Sequence, residues 1–189
     1  MSNLNIVVGL SGVGKSTLLE KTMQMSEEKY KIINYGDKMF EIAKNKGYVE
    51  TRDEMKKLET KKFKQLQKKA AKNIFEHSKD KNVILDTHSA IKSPYGYVPG
   101  LPRWSIRELK PDKIIMITAD PEEIYERSKT DEDRERQHES VDKLREYQDV
   151  AKSMASADAV ETGAYFKIIK NKQGEIENAA ENLLKTLEA

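Results

Sequence analysis

The sequence contains no cysteine. This absence excludes disulfide bonds and thiolate metal sites, and it is typical of proteins kept in a reducing compartment. The sequence also lacks any apolar run of roughly 18 residues, the length that a membrane-spanning helix needs. Residues 1–8 have neither the basic start nor the long apolar stretch of a signal peptide. We therefore expect a cytoplasmic chain that has no membrane as a partner.

The sequence also has few histidines and a small net charge. The three histidines show neither the spacing of a zinc site nor a Ser-His-Asp arrangement. The formal net charge is only +2, although 35% of the residues are charged, and this gives little reason to expect a nucleic-acid partner. Hydrophobic residues make up 37% of the 189 residues, which is enough for one core, and we expect a single domain.

Short apolar runs alternate with longer charged stretches that have a helical period. The runs are rich in β-branched residues and predict strands at 4–8, 31–35, 82–86, 113–118 and 166–170. The stretches between them predict helices at 15–29, 38–46, 53–78, 121–129, 141–159 and 175–187. Because each run is apolar rather than alternating, the pattern indicates strands buried on both faces of a parallel sheet. The steady alternation predicts the α/β class, with a doubly wound sheet flanked by helices.

Two stretches interrupt this alternation. Residues 38–81 are too long for a simple crossover and are typical of a helical insertion between the second and third strands. Residues 87–104 contain three prolines and two glycines, which predict a long loop after the third strand. Loops of that length inside compact domains usually serve function.

The clearest motif follows the first predicted strand. It matches G-x-x-x-x-G-K-[ST] between a strand and a helix, the context that a phosphate-binding loop requires. With the threonine after it, the motif consists of Gly9, Leu10, Ser11, Gly12, Val13, Gly14, Lys15, Ser16 and Thr17. The glycines allow backbone N–H groups to point at phosphate oxygens, beside the positive end of the helix. We expect Lys15 to reach the β- and γ-phosphates of ATP, Ser16 to bind magnesium, and Thr17 to approach the α-phosphate.

An acidic residue ends the third predicted strand. In proteins with this phosphate-binding loop, an aspartate at such a position orients Mg²⁺ directly or through water. Asp86 is the residue in question. The alternative is a helix cap or a turn residue, which aspartate often provides. Together with the phosphate loop, the pattern favours the metal role.

Six further segments resemble those of one known family, the archaeal-type adenylate kinases. They are INYGD at 33–37, TRDEMKKL at 51–58, DTH at 86–88, GYVPGLP at 96–102, DRER at 133–136 and KIIKN at 167–171. The phosphate loop alone is common to many proteins, whereas these segments in this order extend the resemblance over nearly the whole chain. The resemblance implies reversible phosphoryl transfer between MgATP and AMP, which gives two ADP. It also implies a P-loop NTPase fold with a five-stranded parallel core, and often a homotrimer.

The resemblance divides the chain as well. It implies a core of 1–37, 82–129 and 140–189, an insertion that binds the nucleoside monophosphate at 38–81, and a short lid at 130–139. Arg127, Arg134 and Arg136 would belong to the lid and its hinge, and would act with Lys15 as catalytic groups over the triphosphate. Thr130 stands where many relatives carry a basic residue.

The acceptor nucleotide is assigned in the same way. The resemblance implies that Arg52 contacts the AMP phosphate, and that Gly36, Asp37 and His88 lie near the nucleoside. Arg103, which directly follows the Gly-Leu-Pro segment, is a candidate second ligand of that phosphate. Arginine suits this role because its planar fork matches two phosphate oxygens at once.

Other functions stay open on the sequence. A kinase for a different nucleoside monophosphate would use the same motifs. A nucleotide switch that acts through a protein or RNA partner is another class, but a GTPase would normally carry N-K-x-D, of which Asn171 and Lys172 supply only the first two positions. Residues 52–72 hold nine lysines or arginines and three acids. This indicates a solvated helix face first, attraction of an anionic nucleotide second, and a nucleic-acid surface last.

Overall fold

The computed structural model describes residues 3–129 and 140–189. The strands in these ranges are β1 Leu4–Val8, β2 Tyr30–Asn34, β3 Asn82–Thr87, β4 Ala90–Ser93, β5 Gly96–Pro99, β6 Lys113–Thr118 and β7 Tyr165–Lys170. The α-helices are α1 Lys15–Met25, α2 Tyr35–Asn45, α3 Thr60–Ser78, α4 Arg103–Leu109, α5 Pro121–Lys129, α6 Val141–Thr162 and α7 Ile176–Glu188, and a short 3₁₀ helix covers Asp53–Lys57. No helix in the described ranges is long and apolar enough to span a membrane.

Five of the strands form one parallel sheet in the order β2–β3–β1–β6–β7. The first strand of the chain therefore lies at the centre, with its neighbours added on both sides by helical crossovers. The remaining two strands, β4 and β5, pair only with each other as an antiparallel hairpin. The predicted five-stranded parallel sheet flanked by helices is confirmed.

Burial separates the central strands from the edge strands. All of β1 is buried, and so are Ile114–Ile117 of β6. In the edge strands, by contrast, Ile32 of β2 and Tyr165 of β7 reach solvent, with exposed fractions of 41% and 79%. The prediction that every strand is buried on both faces is therefore wrong for β2 and β7, because an apolar run does not reveal whether a helix covers it.

Two predicted boundaries near β2 are also wrong. The first helix ends at Met25 rather than at residue 29, because the backbone of Ser26 is extended. Tyr35, predicted as the end of a strand, begins α2, because the Asn34 side chain caps that helix by accepting the Asp37 N–H at 3.1 Å. The Tyr35 ring then turns into the core, where its hydroxyl donates to the Gln67 carbonyl at 2.8 Å.

The insertion and the long loop contain more structure than predicted. The single helix predicted for 53–78 is two helices, separated at Leu58, whose ψ of 140° interrupts the helical backbone. The stretch 87–104, predicted as a loop, contains the β4–β5 hairpin and the start of α4. Gly96, with φ of 115°, supplies the backbone conformation that closes this hairpin. The other predicted strands and helices are confirmed within three residues at their ends.

The carboxyl ends of the parallel strands meet at one edge of the sheet. There β1 leads into the phosphate loop, and Asn34 at the end of β2 lies in register with Asp86 of β3. Asn171 follows β7 at the same edge and donates its N–H to the Thr118 carbonyl of β6 at 2.8 Å. Ligands of open α/β sheets bind at this edge, and most residues predicted for the site are carried to it.

Candidate active site

The phosphate loop has the backbone that its glycines predict. Gly12 and Gly14 have φ angles of 90° and 81°, in the left-handed region that side chains disfavour. Gly14 is the N-cap of α1 and, having no side chain, makes no side-chain capping hydrogen bond to this helix. The first N–H groups of α1 and their positive dipole therefore face the loop, which is the arrangement that binds phosphate. Ser16 and Thr17 lie exposed in the same first turn.

The loop is held in place by a residue from the far end of the chain. The buried Asn171 side chain donates from Nδ2 to the Val13 carbonyl at 2.9 Å. A methyl group at Gly14 would lie 2.6 Å from that nitrogen, so both the φ angle and the close approach require glycine there. Sequence reasoning included Asn171 in a family segment and in a partial GTPase motif but assigned it no contact with the phosphate loop. Its place directly after a strand is the signal that points to this edge.

Arg127 of α5 reaches the same loop from another side. Its Nη1 donates to the Gly12 carbonyl at 3.2 Å, and its Nη2 pairs with Glu123 at 3.1 Å. Gln173, after β7, accepts two hydrogen bonds from the same guanidinium at 2.9 and 3.1 Å. The arrangement anchors an arginine beside the phosphate loop, and the catalytic role of Arg127 stays a prediction. Sequence reasoning assigned no role to Glu123 or Gln173.

The predicted phosphate lysine and the predicted metal carboxylate form an ion pair. Lys15 Nζ contacts Asp86 Oδ1, and the two side chains are only 10% and 14% exposed. Burial lowers the pKa of Lys15 to about 8, even though the Asp86 carboxylate lies beside it. The second carboxylate oxygen accepts a hydrogen bond from Asn34 Nδ2 at 3.1 Å. Sequence reasoning assigned no role to Asn34, although it too ends a strand of the sheet.

His88 lies against the phosphate loop. Its Nδ1 is 2.7 Å from the Gly9 carbonyl oxygen, so this nitrogen carries the proton and donates it. Desolvation lowers the pKa of His88, and the positive charge of Lys15 adds to this effect. The backbone of His88 also approaches Gly100 so closely that a Cβ at that position would overlap its carbonyl. Its predicted contact with the acceptor nucleoside stays a prediction.

Three of the residues predicted for the acceptor nucleotide, Gly36, Asp37 and Arg52, meet at the start of α2. Arg52 forms an ion pair with Asp37, and these side chains are 61% and 63% exposed. The guanidinium lies directly over Gly36, where an added Cβ would be 2.6 Å from Nη2. A glycine at this place therefore lets the arginine lie flat over the first turn of the helix. Such an exposed fork is available to a phosphate group.

Arg103 has a different neighbour. It begins α4 and donates from Nε to Glu161 of α6 at 3.2 Å, and Arg107 pairs with the same carboxylate. These two arginines are why the pKa of Glu161 is lowered, Arg107 being the larger cause. The role of Arg103 as a second AMP-phosphate ligand stays a prediction. Arg134, Arg136 and Thr130 lie outside the described residues.

The oxygen donors at this edge suit a magnesium ion that is bound mainly by phosphates and water. Mg²⁺ usually takes one or two protein oxygens together with substrate phosphates. The Ser16 hydroxyl and the Asp86 carboxylate are oxygens of this kind, placed at the start of α1 and the end of β3. In the described part of the chain, no group of three histidine, aspartate or glutamate side chains forms a cage for a metal. The donor set therefore fits Mg²⁺ delivered with a nucleotide.

Comparison with known proteins extends over nearly the whole chain. Residues 8–145 match a family described as an AAA domain. An adenylate kinase from Methanococcus vannielii is 44% identical over 98% of each chain. Adenylate kinases from Methanocaldococcus jannaschii and Methanothermobacter thermautotrophicus are 42% and 43% identical, over at least 96% of each chain.

Solved structures with the same fold are more distant in sequence. A shikimate kinase from Bacteroides thetaiotaomicron superposes with a TM-score of 0.61 at 14% identity, over the whole length of both chains. A shikimate kinase from Acinetobacter baumannii, solved with shikimate, gives a TM-score of 0.62 at 16% identity, over all of this chain and 94% of the other. At these identities the likeness concerns the fold alone.

Proposed function

The chain belongs to the adenylate kinase family, and we propose that it transfers the γ-phosphoryl group of MgATP to AMP, reversibly, giving two ADP. The observation that carries the proposal is the similarity to adenylate kinases over at least 96% of the chain. Two basic groups at one end of the sheet support it. Lys15 lies at the start of α1 for the donor, and Arg52 lies over the start of α2 for the acceptor.

The reaction requires positioning and charge neutralisation rather than proton transfer. The bond between the γ-phosphorus and the β–γ bridging oxygen of ATP breaks, and a bond from that phosphorus to an AMP phosphate oxygen forms. Because the attacking oxygen is already anionic near neutral pH, the protein does not have to supply a general base. This fits a chain with three histidines and no apparent acid–base pair.

The donor half of the site binds the triphosphate. Backbone N–H groups of the phosphate loop and of α1 would cradle the phosphates, and Lys15 would turn from Asp86 to the β- and γ-oxygens. Mg²⁺, when bound with ATP, neutralises charge that develops on the transferred phosphoryl group. Ser16 would hold this ion by its hydroxyl, and Asp86 would hold it through water.

The acceptor half binds AMP. Arg52 would exchange the Asp37 carboxylate for the AMP phosphate, with Gly36, Asp37 and His88 near the nucleoside. Arg103 would join this phosphate after release from Glu161. The exposed Arg52–Asp37 pair supports such an exchange, because an ion pair in water contributes little and is easily replaced.

Closure would bring the two halves together and exclude water, which is a competing acceptor. We propose that 38–81 moves as the monophosphate-binding insertion, that 130–139 is the lid, and that the rest is core. Arg127, Arg134 and Arg136 would then neutralise the triphosphate during transfer, and one such arginine contributes on the order of 10³-fold in rate. The anchoring of Arg127 to the Gly12 carbonyl supports its place beside the phosphates.

A direct assay tests the proposal. The purified chain is incubated with Mg²⁺, ATP and one nucleoside monophosphate at a time, and the diphosphates are followed by chromatography. We expect rapid ADP formation with AMP, and loss of it on chelation of the metal. Preference for CMP or UMP would keep the mechanism and change the acceptor. Phosphate release without transfer to any acceptor would overturn the proposal in favour of a nucleotide switch.

We further propose that nucleotides, rather than nucleic acid or membrane, are the ligands, and that the chain works in the cytoplasm as a homotrimer. Support for association comes from exposed apolar side chains at the end of α6 and the start of β7, namely Val160 at 83% and Tyr165 at 79% exposure. Light scattering on the purified protein tests the trimer. A single species of monomer mass would overturn it, and Val160→Glu should shift a trimer towards that mass.

A further inference from the structure

Asn34 connects the two halves of the site with one side chain. Its Nδ2 donates to Oδ2 of Asp86 at 3.1 Å, next to the Lys15 ion pair. Its Oδ1 accepts the N–H of Asp37 at 3.1 Å and so caps α2, the helix over which Arg52 lies. One amide group therefore touches both the carboxylate expected to serve Mg²⁺ and the first turn of the helix expected to serve AMP.

The orientation of this amide follows from its partners. The Asp86 carboxylate only accepts, and the Asp37 backbone N–H only donates, so the Asn34 nitrogen must face the first and the oxygen the second. The backbone supports the same arrangement, because Asn34 and Asp86 are paired in register at the ends of β2 and β3. Asparagine provides an amide donor and a carbonyl acceptor on one short side chain. Serine and threonine can also cap the helix with their hydroxyl oxygen, but they lack the amide N–H group that Asn34 donates to Asp86.

We propose that Asn34 is a positioning residue for phosphoryl transfer, which holds the Asp86 carboxylate in place for Mg²⁺ and the start of α2 in place for AMP. The inference rests on the proposed function of the site. When Lys15 turns to the phosphates, the Oδ1 atom of Asp86 loses its contact with the lysine ammonium group. The Asn34 donor on Oδ2 then keeps the carboxylate from rotating, as hydrogen-bonded neighbours of metal-ligating carboxylates do.

The chain contains a matched control at the opposite edge of the same sheet. Asn82, at the start of β3, also donates from Nδ2 to a carboxylate, Glu28, at 2.9 Å. Its Oδ1 also accepts a backbone N–H, that of Asn3, at 3.1 Å. The two asparagines thus make the same two kinds of hydrogen bond, one to a carboxylate and one from a backbone N–H. Asn34 does so at the carboxyl edge of the sheet, where the proposed site lies, and Asn82 does so at the amino edge, away from the site.

The experiment compares Asn34→Ser, Asn34→Ala and Asn82→Ser. ATP affinity is measured by calorimetry with and without Mg²⁺, and the KM for AMP and the melting temperature are measured alongside. Asn34→Ser retains a good cap and removes the donor to Asp86. We expect its Mg²⁺-dependent gain in ATP affinity to fall about tenfold. Its affinity for metal-free ATP should change by less than about twofold, because the phosphate loop is intact.

Asn34→Ala removes the cap as well. It should therefore also lower the melting temperature by about 3 °C and raise the KM for AMP about fivefold, effects that Asn34→Ser should largely avoid. Asn82→Ser should leave the magnesium gain and the AMP KM unchanged.

If Asn34→Ser and Asn82→Ser show the same magnesium gain, Asn34 only caps the helix and the inference is wrong. If the unaltered chain makes no ADP, the proposed function fails instead, and the two failures are thereby distinguished.

Discussion

Two ion pairs lie at the ends of neighbouring strands, and they differ in their exposure to water. Lys15 and Asp86 are 10% and 14% exposed, whereas Arg52 and Asp37 are 61% and 63% exposed. In each pair, a basic residue that is expected to bind phosphate forms an ion pair with an aspartate carboxylate. The first joins the start of α1 to β3 of the sheet, and the second joins the first turn of α2 to the residue that precedes the 3₁₀ helix.

The difference in exposure indicates how far each half of the site is already formed before a nucleotide binds. The buried pair has lost most of its water and Asn34 holds its carboxylate, so much of the donor half is formed before Lys15 turns to a nucleotide. The exposed pair contributes at most about 1 kcal/mol and can be exchanged for a ligand with little loss. The donor half therefore depends on preorganisation, and the acceptor half depends on groups that remain free to move.

The largest expected effect is on the buried pair. Lys15→Met should lower the rate of ADP formation on the order of 10³-fold, because a charge that stabilises the transferred phosphoryl group is lost. It should also lower the free energy of unfolding by about 3 kcal/mol, since Asp86 would be left without its cation. Rate assays and denaturant unfolding measure the two effects.

Lys21 provides the control on the same helix. It pairs with Glu177 at 3.1 Å, and both side chains are more exposed than those of the Lys15 pair. Lys21→Met should change neither rate nor stability by a measurable amount. Equal losses in the two variants would contradict the distinction between a preorganised and an ordinary ion pair.

The exposed pair should behave in the opposite way. Arg52→Lys keeps the charge but removes the planar fork, so we expect the KM for AMP to rise about tenfold. The affinity for ATP and the melting temperature should stay nearly unchanged, because the pair is open to water. Arg145→Lys is the control, since Arg145 pairs with Asp142 and Glu122 away from the site. A loss of stability in Arg52→Lys would show that this half is not as loosely held as its exposure indicates.

A separate effect is expected in the backbone of the donor half. Gly14→Ala combines an unfavourable φ with the contact to Asn171, and we expect it to cost about 2 kcal/mol of unfolding free energy and to abolish tight ATP binding. Gly163→Ala has a similar φ of 75° but meets no atom within 4 Å, so it should cost only about 1 kcal/mol. Equal losses in chemical unfolding would mean that Asn171 does not restrict the loop.

The smallest expected effect is the uptake of a proton when ATP binds. Burial lowers the pKa of Lys15 to about 8, so above that pH the nucleotide-free protein loses this charge. Phosphate oxygens favour the ammonium form and raise the pKa again, so ATP binding between pH 8 and about 10 should take up as much as one proton. Calorimetry at pH 9 in two buffers of different ionisation enthalpy measures this uptake. AMP binding, which does not involve Lys15, is the control, and equal uptake with both nucleotides would contradict the assignment.

The sequence predicted the elements that local patterns determine. The phosphate loop between β1 and α1 was recognised because its glycines, lysine and serine are contiguous and serve one backbone conformation. The role of Asn171 in holding that loop was not recognised, because 158 residues separate it from Val13 and no local pattern records the contact. The ends of α1 and β2 were misplaced for a different, local reason, since the extended backbone of Ser26 and the capping side chain of Asn34 decided them.

The sequence could not predict which charged residues form ion pairs with each other. Asp86 was recognised as an acid at a strand end, but its register with Asn34 depends on how β2 and β3 pair. Arg103 and Glu161 are likewise brought together by two helices far apart in the chain.

The sequence by itself determined the class of fold, the phosphate loop and the candidate residues proposed for phosphate and magnesium, because periodicity and short motifs act over a few neighbouring residues. Only the tertiary structure decided which strands are covered, which acid each cation contacts and how much water each pair keeps. These properties depend on contacts between distant segments, which shield the Lys15 pair from most of the solvent and leave the Arg52 pair open to it.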